Sequence, residues 1–296
     1  MKKLTRVLSG VLAGLMVLGL AACGGTSAAP TVTTAAPATT AAPATTAAAP
    51  AEDTTAAAAL DADVQAIVDR GVLRVGVKNA VLGFGYQDPI TGEYSGMEID
   101  LANALAAQLG VDVEFTTVTA ATRTELLDSG DIDCVLATFT ITEERKQSWD
   151  FTTPYYTDHV TVLVEDASGI KTLADLKDKL VGVSSGSTSA RALTAAMIDA
   201  GVIDGAGFDK ETFDAATWKD GISFQQFDDY PGISTALAAG QVDAFCVDKS
   251  ILAVYKTEGR SYIADEFAPQ EYGIATKKDS GFSTYCEDFI QAKLAD

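Results

Sequence analysis

Residues 126–138 read L-L-D-S-G-D-I-D-C-V-L-A-T, and residues 236–248 read A-L-A-A-G-Q-V-D-A-F-C-V-D. Both have one grammar: the end of a helix, a glycine, then an acidic residue that opens a short apolar run. Glycine accepts the left-handed backbone that ends a helix, and an unbroken apolar run after it suits a strand buried on both faces. A second pattern also occurs twice, R-V-G-V-K-N at 74–79 and L-V-G-V-S-S at 180–185. The copies of the two patterns lie roughly 110 and 106 positions apart. Near-equal offsets of independent motifs predict two α/β lobes of one design.

The duplication locates a site. In open α/β sheets ligands bind beyond the carboxyl ends of the strands. The residues at those ends are Lys78, Thr138, Ser184 and Asp248. Two lobes facing one another there form a cleft with a cation, two hydroxyls and an anion, which suits a small zwitterion.

Composition excludes several classes. The 296 residues carry 21 Lys+Arg against 41 Asp+Glu, a formal charge of −20. Nucleic-acid binding requires a basic surface and is set aside. One histidine, His159, and four cysteines without C-x-x-C spacing leave no zinc signature, so no metal or other cofactor is expected.

Residues 1–22 hold Lys2, Lys3 and Arg6 and no acid, followed by an apolar run from Val7 to Leu20. That run is shorter than the roughly 20 residues a bilayer span needs and reads as a signal peptide. It ends in L-A-A-C-G, 20–24, which resembles the lipobox of bacterial lipoproteins. The resemblance implies cleavage before Cys23, acylation of its thiol and a lipid anchor on the extracytoplasmic side of the membrane. Acyl chains then hold the protein with about 0.8 kcal/mol per buried CH₂. From Thr26 to Ala59 the chain is almost entirely Ala, Thr and Pro, with A-A-P-A-T-T repeated in tandem at 35–46. Recurrent proline and threonine oppose helix, and nothing there has an apolar period, so 23–59 reads as a tether. The fold is expected to begin near Leu60.

Arg145 lies in T-F-T-I-T-E-E-R-K, where Thr142 is placed to cap a helix with Glu143 and Glu144 in its first turn. It is either a solvated arginine or a planar guanidinium set to grip a carboxylate in two places. The segment G-V-S-S-G-S-T, 182–188, reads as a strand and small-residue loop entering a helix, whose backbone N–H groups suit an anion. It also matches G-x-S-x-G with Ser184 as nucleophile. A hydrolase of that type needs a later histidine, but His159 precedes Ser184. Cys134 and Cys246 sit at equivalent places in the repeated strands and are expected as buried, unpaired side chains in separate lobes.

Together these motifs resemble the polar amino-acid-binding proteins of ABC importers, solute-binding proteins with the type II periplasmic-binding fold. The resemblance rests on G-V-L-R-V-G-V, G-E-Y-S-G-M-E-I-D-L-A-N-A-L-A, T-F-T-I-T-E-E-R-K and D-F-T-T-P-Y-Y, in that order. T-R at 122–123, F-D-D-Y-P at 227–231 and P-Q-E-Y-G-I-A-T-K-K-D near the end are similar to the aspartate/glutamate-binding subgroup. It implies lobes at 60–154 with 273–296 and at 160–267, joined by hinges at 155–159 and 268–272. By position, Arg145 with Thr140 beside it would hold the ligand α-carboxylate, and Asp248 the α-ammonium. Lys78 and Arg123 would face the ligand side chain, while Thr188 and Tyr230 line the second lobe. Lys78 stands where glutamine-binding relatives carry an acid, which favours a side-chain carboxylate by charge. The implied partners are an acidic L-amino acid and an ABC permease, with the protein acting as a monomer.

Two features depart from the pattern. The family leads one to expect a further helix beyond Asp296, and the strongly negative chain opposes long-range steering of an anionic ligand. The same fold carries dehydratases, so glutamine or another polar amino acid as ligand, or turnover of a prephenate-like acid, is the alternative reading.

Overall fold

The computed structural model describes residues 59–295; the signal segment, Cys23 and the tether through residue 58 lie outside the described residues. The chain forms α1 (Ala62–Arg70), β1 (Val72–Val77), a ribbon of β2 (Ala80–Val81), β3 (Gly85–Gln87) and β4 (Tyr94–Ser95), then α2 (Met97–Leu109). It continues through β5 (Asp112–Thr117), α3 (Thr122–Ser129), β6 (Cys134–Leu136) and β7 (Trp149–Phe151). The long strand β8 (Tyr156–Glu165) leads into β9 (Leu180–Ser184), α4 (Ser189–Asp199), β10 (Ser223–Phe227), α5 (Tyr230–Ala238) and β11 (Ala244–Asp248). After α6 (Lys249–Leu252), β12 (Arg260–Tyr262) and β13 (Phe267–Tyr272), the chain ends in β14 (Ala275–Lys277) and α7 (Gly281–Ala295).

The two main sheets repeat one another. The first has the order β5-β1-β6-β14-β7 and the second β10-β9-β11-β8-β12, with β13 also on β8. In each, a V-G-V strand lies between two parallel neighbours, β1 between β5 and β6, β9 between β10 and β11. In each, the next strand outward runs antiparallel, β14 against β6 and β8 against β11. This is the two-lobed type II periplasmic-binding architecture.

The repeated sequence has a packing cause. A Cβ on Gly76 would stand 2.6 Å from Ile132 Cδ1, and one on Gly182 would stand 2.6 Å from Ile233 Cγ2. Each V-G-V glycine therefore admits the isoleucine of a covering segment close against the strand. Gly130 and Gly240 follow α3 and α5 with φ of 81° and 67°, the left-handed stops read from the sequence.

The first lobe's core joins Val75 and Val77 of β1, Ile99 and Leu105 of α2, Val64 and Ile67 of α1, and Phe282, Cys286, Phe289 and Ile290 of α7. So α7 covers this lobe. The second core gathers Val181, Val183, Leu193, Met197 and Cys246. Cys134, Cys246 and Cys286 are all free and buried.

One sequence expectation needs correction. After Thr142 the chain makes only a 3₁₀ turn, Arg145–Gln147, rather than a helix. Thr142 Oγ1 accepts the Arg145 N–H at 3.1 Å, as a cap would. But β7 begins at Trp149 and pairs with β14, so the sheet draws the chain back to extended form within one turn.

Candidate ligand-binding site

The structure brings the strand-end residues together. Lys78 directly follows β1, Thr138 follows β6 by two residues, and Ser184 and Asp248 close β9 and β11; all four are buried. Lys78 and Thr138 come from the first lobe, Ser184 and Asp248 from the second. A cavity of about 30 Å³ lies between Lys78, Val118, Ser184 and Tyr230. The lobes touch one another beside it, Arg145 to Gly186 and Thr140 and Thr188 through Gln270.

Three cations come from the first lobe. Lys78 Nζ lies 5.4 Å from the Tyr230 ring centroid across the cleft. Arg123, 3% exposed, stacks 3.8 Å from the Phe139 centroid and donates from Nη1 to the carbonyls of Ala137 at 3.0 Å and Thr138 at 3.3 Å. Arg145 lies 4.7 Å from the same ring and donates to Thr140 O at 2.7 Å and, in the other lobe, to Gly186 O at 3.0 Å. Gly186 has φ 73°, and a Cβ there would stand 2.7 Å from Ala120 O, so a side chain at this point would hold the lobes apart. Among the described residues none of these cations makes a salt bridge. Burial, then the neighbouring Arg123, pushes the Lys78 ammonium well below its usual pKa. Burial lowers Arg123 to about 10 and, with Arg123, depresses Arg145 well below the usual arginine range.

Asp248 is the second lobe's anion. Burial raises its carboxyl to about 7, although the Tyr272 hydroxyl donates to it. That hydroxyl also lies 3.3 Å from Asp158 Oδ2, and Asp158 accepts the Ser250 N–H at 3.1 Å and the Ser250 hydroxyl. Asp158 is on β8 and Tyr272 on β13, so the anion is tied to both strands that connect the lobes.

Gln270 acts as a clasp. Its Oε1 accepts from Thr140 Oγ1 of the first lobe and Thr188 Oγ1 of the second, each at 2.8 Å. At the rim, Arg191 on α4 pairs with Glu144 at 2.7 Å. A space of about 380 Å³ lined by residues of both lobes, among them Phe139, Arg145, Trp149, Thr188 and Phe213, has this pair in its wall.

All nine ligand-contact residues expected from the sequence, Lys78, Arg123, Thr138, Thr140, Arg145, Ser184, Thr188, Tyr230 and Asp248, thus lie at the interface of the lobes or directly behind it. Sequence reasoning missed Gln270, Tyr272, Phe139 and Glu98. Glu98 is on α2, wholly buried, and its Oε1 accepts the Thr138 N–H and the Tyr155 hydroxyl, both at 2.6 Å. Thr138 has φ 45°, a left-handed conformation costly for a β-branched residue that this carboxylate holds in place. Ser184 and His159 share no hydrogen bond; His159 is exposed on β8 while Ser184 is buried, so no nucleophile and base are assembled.

A two-lobed fold with charged groups converging on an interlobe cleft defines a solute-binding class, and the family is explicit. Residues 73–281 match the model of the bacterial extracellular solute-binding proteins, family 3, and the chain belongs to that family. It is 33% identical over 230 residues to the glutamine-binding protein of Geobacillus stearothermophilus, covering 76% of this chain and 79% of the relative. It is 30% identical over 246 residues to the glutamate-binding protein GluB of Corynebacterium efficiens, covering 77% of this chain and 75% of the relative. Among solved structures it is similar to an ancestral arginine-binding protein bound to arginine, with a TM-score of 0.64, 33% identity, and coverage of 77% of this chain and 94% of that one.

Proposed function

We propose that this protein captures an acidic L-amino acid, aspartate or glutamate, outside the cytoplasm and presents it to an ABC permease as a monomer anchored through acylated Cys23. The observation that carries the ligand class is the pair Lys78 and Arg123, both buried in the cleft and neither held in a salt bridge among the described residues. Unpaired buried cations are costly, and a ligand carboxylate brought between them offsets that cost. Arg145 takes the α-carboxylate and Asp248 the α-ammonium, with Thr140, Thr188, Thr138, Ser184 and Tyr230 completing the walls. An amide side chain would leave the two cations uncompensated, which separates this ligand class from glutamine.

In this reading residues 60–154 with 273–296 move against 160–267, bending at 155–159 and 268–272. Arg145 and Asp248 belong to opposite lobes, so a ligand that joins them favours closure by its differential contacts. Calorimetric titration of the full chain against the twenty amino acids tests the ligand class: aspartate or glutamate should bind at least tenfold more tightly than glutamine. A preference for glutamine overturns the assignment. Detergent-phase partitioning of Cys23→Ala tests the anchor, since the substituted protein should leave the detergent phase or persist as uncleaved precursor.

A further inference from the structure

The second lobe carries a segment that the first lacks. In the first lobe α2 ends at Leu109 and β5 begins at Asp112; at the equivalent place α4 ends at Asp199 and β10 begins only at Ser223. The added chain is folded on its own aromatic cluster. Phe208, Phe213 and Trp218 lie with ring centroids 5.6–5.8 Å apart, and Phe213 lies 6.2 Å from Phe224 of β10. Asp209 and Asp214 close its turns by accepting the N–H groups of Glu211 and Ala216, at 2.8 and 2.9 Å.

This segment does two things at the mouth of the cleft. Its Phe213, Asp214 and Ala215 share the wall of the interlobe space of about 380 Å³ with Arg145 and Trp149 of the first lobe. Its Lys210 carbonyl accepts Arg191 Nη1 at 2.9 Å, and the same nitrogen pairs with Glu144 of the first lobe at 2.7 Å. Arg191 Nη2 and Nε have no hydrogen-bond partner among the described residues. Arg145 spends Nη1 and Nη2 on the backbone carbonyls of Thr140 and Gly186, which leave its charge uncompensated. Burial, then Arg123, then Arg191 lower the Arg145 pKa, so the guanidiniums of the two lobes act on one another. The acids of the wall are Glu144 and Asp214, and Asp214 is already engaged by the Ala216 N–H and the Thr217 hydroxyl.

We infer that this space is an outer anion site, in which Arg191, positioned by the added segment, captures a ligand carboxylate in exchange for Glu144 and passes it to Arg145. The inference rests on the proposed acidic ligand, which carries one net negative charge where glutamine carries none. A chain of formal charge −20 repels such a ligand at long range. Attraction has to come from a cation at the cleft mouth, within a Debye length of about 8 Å. Arg191 supplies it, with its side chain 25% exposed. Glu144 is 61% exposed, so its hold on Arg191 is weak enough for another carboxylate to replace it.

Arg191→Gln separates charge from shape, since a glutamine can still donate to the Lys210 carbonyl. In stopped-flow mixing of the full chain at low ionic strength, Arg191→Gln should slow glutamate association about fivefold and remove most of its salt dependence, while glutamine association changes less than about twofold. Arg191→Lys should restore the glutamate rate, and Glu144→Gln, which frees Arg191, should raise it. A second readout needs no amino acid. In a Trp218→Phe background Trp149 is the one remaining tryptophan. Its quenching by iodide at constant ionic strength should then fall about twofold on Arg191→Gln, with quenching by neutral acrylamide unchanged. Equal slowing of glutamate and glutamine, Arg191→Lys slowed as much as Arg191→Gln, or unmoved iodide quenching each overturns the inference. A wild type that binds no acidic amino acid defeats the proposed ligand, while the iodide measurement still decides the outer site.

Discussion

The two lobes share a scaffold and divide the chemistry. At equivalent strand ends the first lobe presents Lys78 and Thr138 and the second Ser184 and Asp248, with Arg123 and Arg145 added to the first lobe alone. Strand order and the close-packed V-G-V glycines are duplicated, but cations stand on one side and the anion on the other. On the proposed reading the contrast teaches that the first lobe holds both the shared α-carboxylate, through Arg145, and the distinguishing side chain, through Lys78 and Arg123, while the second holds the shared α-ammonium through Asp248.

That division can be broken most forcefully at Arg145. If its guanidinium serves the shared end of the ligand as proposed, Arg145→Ala should abolish binding of every amino acid, whereas Arg123→Ala should strip affinity for glutamate and aspartate and leave glutamine little changed. Losing one partner of a buried charge pair costs about 2–5 kcal/mol, so each loss should be roughly 30-fold or more by calorimetry. Equal weakening of glutamate and glutamine by Arg123→Ala would place the side-chain pocket elsewhere.

The structural half of the comparison is sharpened by Gly76→Ala and Gly182→Ala. Each places a methyl 2.6 Å from an isoleucine, so each should destabilise by about 1–3 kcal/mol in denaturant unfolding. Similar losses support equivalent scaffolds; a loss at one site alone breaks the symmetry.

The pH response should distinguish the lobes next. Asp248 holds its proton up to about pH 7, against an ordinary value of 3.8. Since the folded state binds that proton more tightly, its contribution to ligand-free stability is full below about pH 4 and is lost as pH rises through about 7. On the proposed reading the ligand ammonium needs the ionised form, so affinity should change in the opposite sense, rising up to about tenfold per unit between pH 5 and 7. Asp248→Asn should flatten that slope; an unchanged slope would move the titrating group out of the second lobe.

The smallest effect is expected at the rim. The Glu144–Arg191 pair joins the lobes at 2.7 Å, but Glu144 is 61% exposed. Pairs this exposed contribute under about 1 kcal/mol, so Glu144→Ala should shift the open–closed balance severalfold at most, measurable by scattering or interlobe fluorescence transfer.

Much of this was legible in the chain because duplicated local patterns carry their own geometry. V-G-V and helix–glycine–acid–strand each fix a local structure, and two copies fix the pairing of lobes and the strand ends. Glu98 was not legible for a physical reason. An acid in the first turn of a helix is favourable at the surface, and only Tyr155 and Thr138, brought from distant positions, make it an interior group. Gln270 and Tyr272 fall in the hinge expected at 268–272, but their side-chain bonds to the site do not follow from the sequence, since a clasp exists only once both lobes are in place. The turn at Arg145 was misread as a helix because capping residues were visible and the pull of β14 on β7 was not.

The route of β14 has a consequence for the order of assembly. It inserts between β6 and β7, although more than a hundred residues separate it from them, and α7 then seals the same lobe. Everything in the second sheet lies in one unbroken stretch from β8 to β13. As the polypeptide emerges from its amino end, the later-made lobe can mature from neighbouring segments, while the earlier-made one waits with its sheet incomplete and its Leu73–Cys134 core uncovered. The lobe that begins first finishes last.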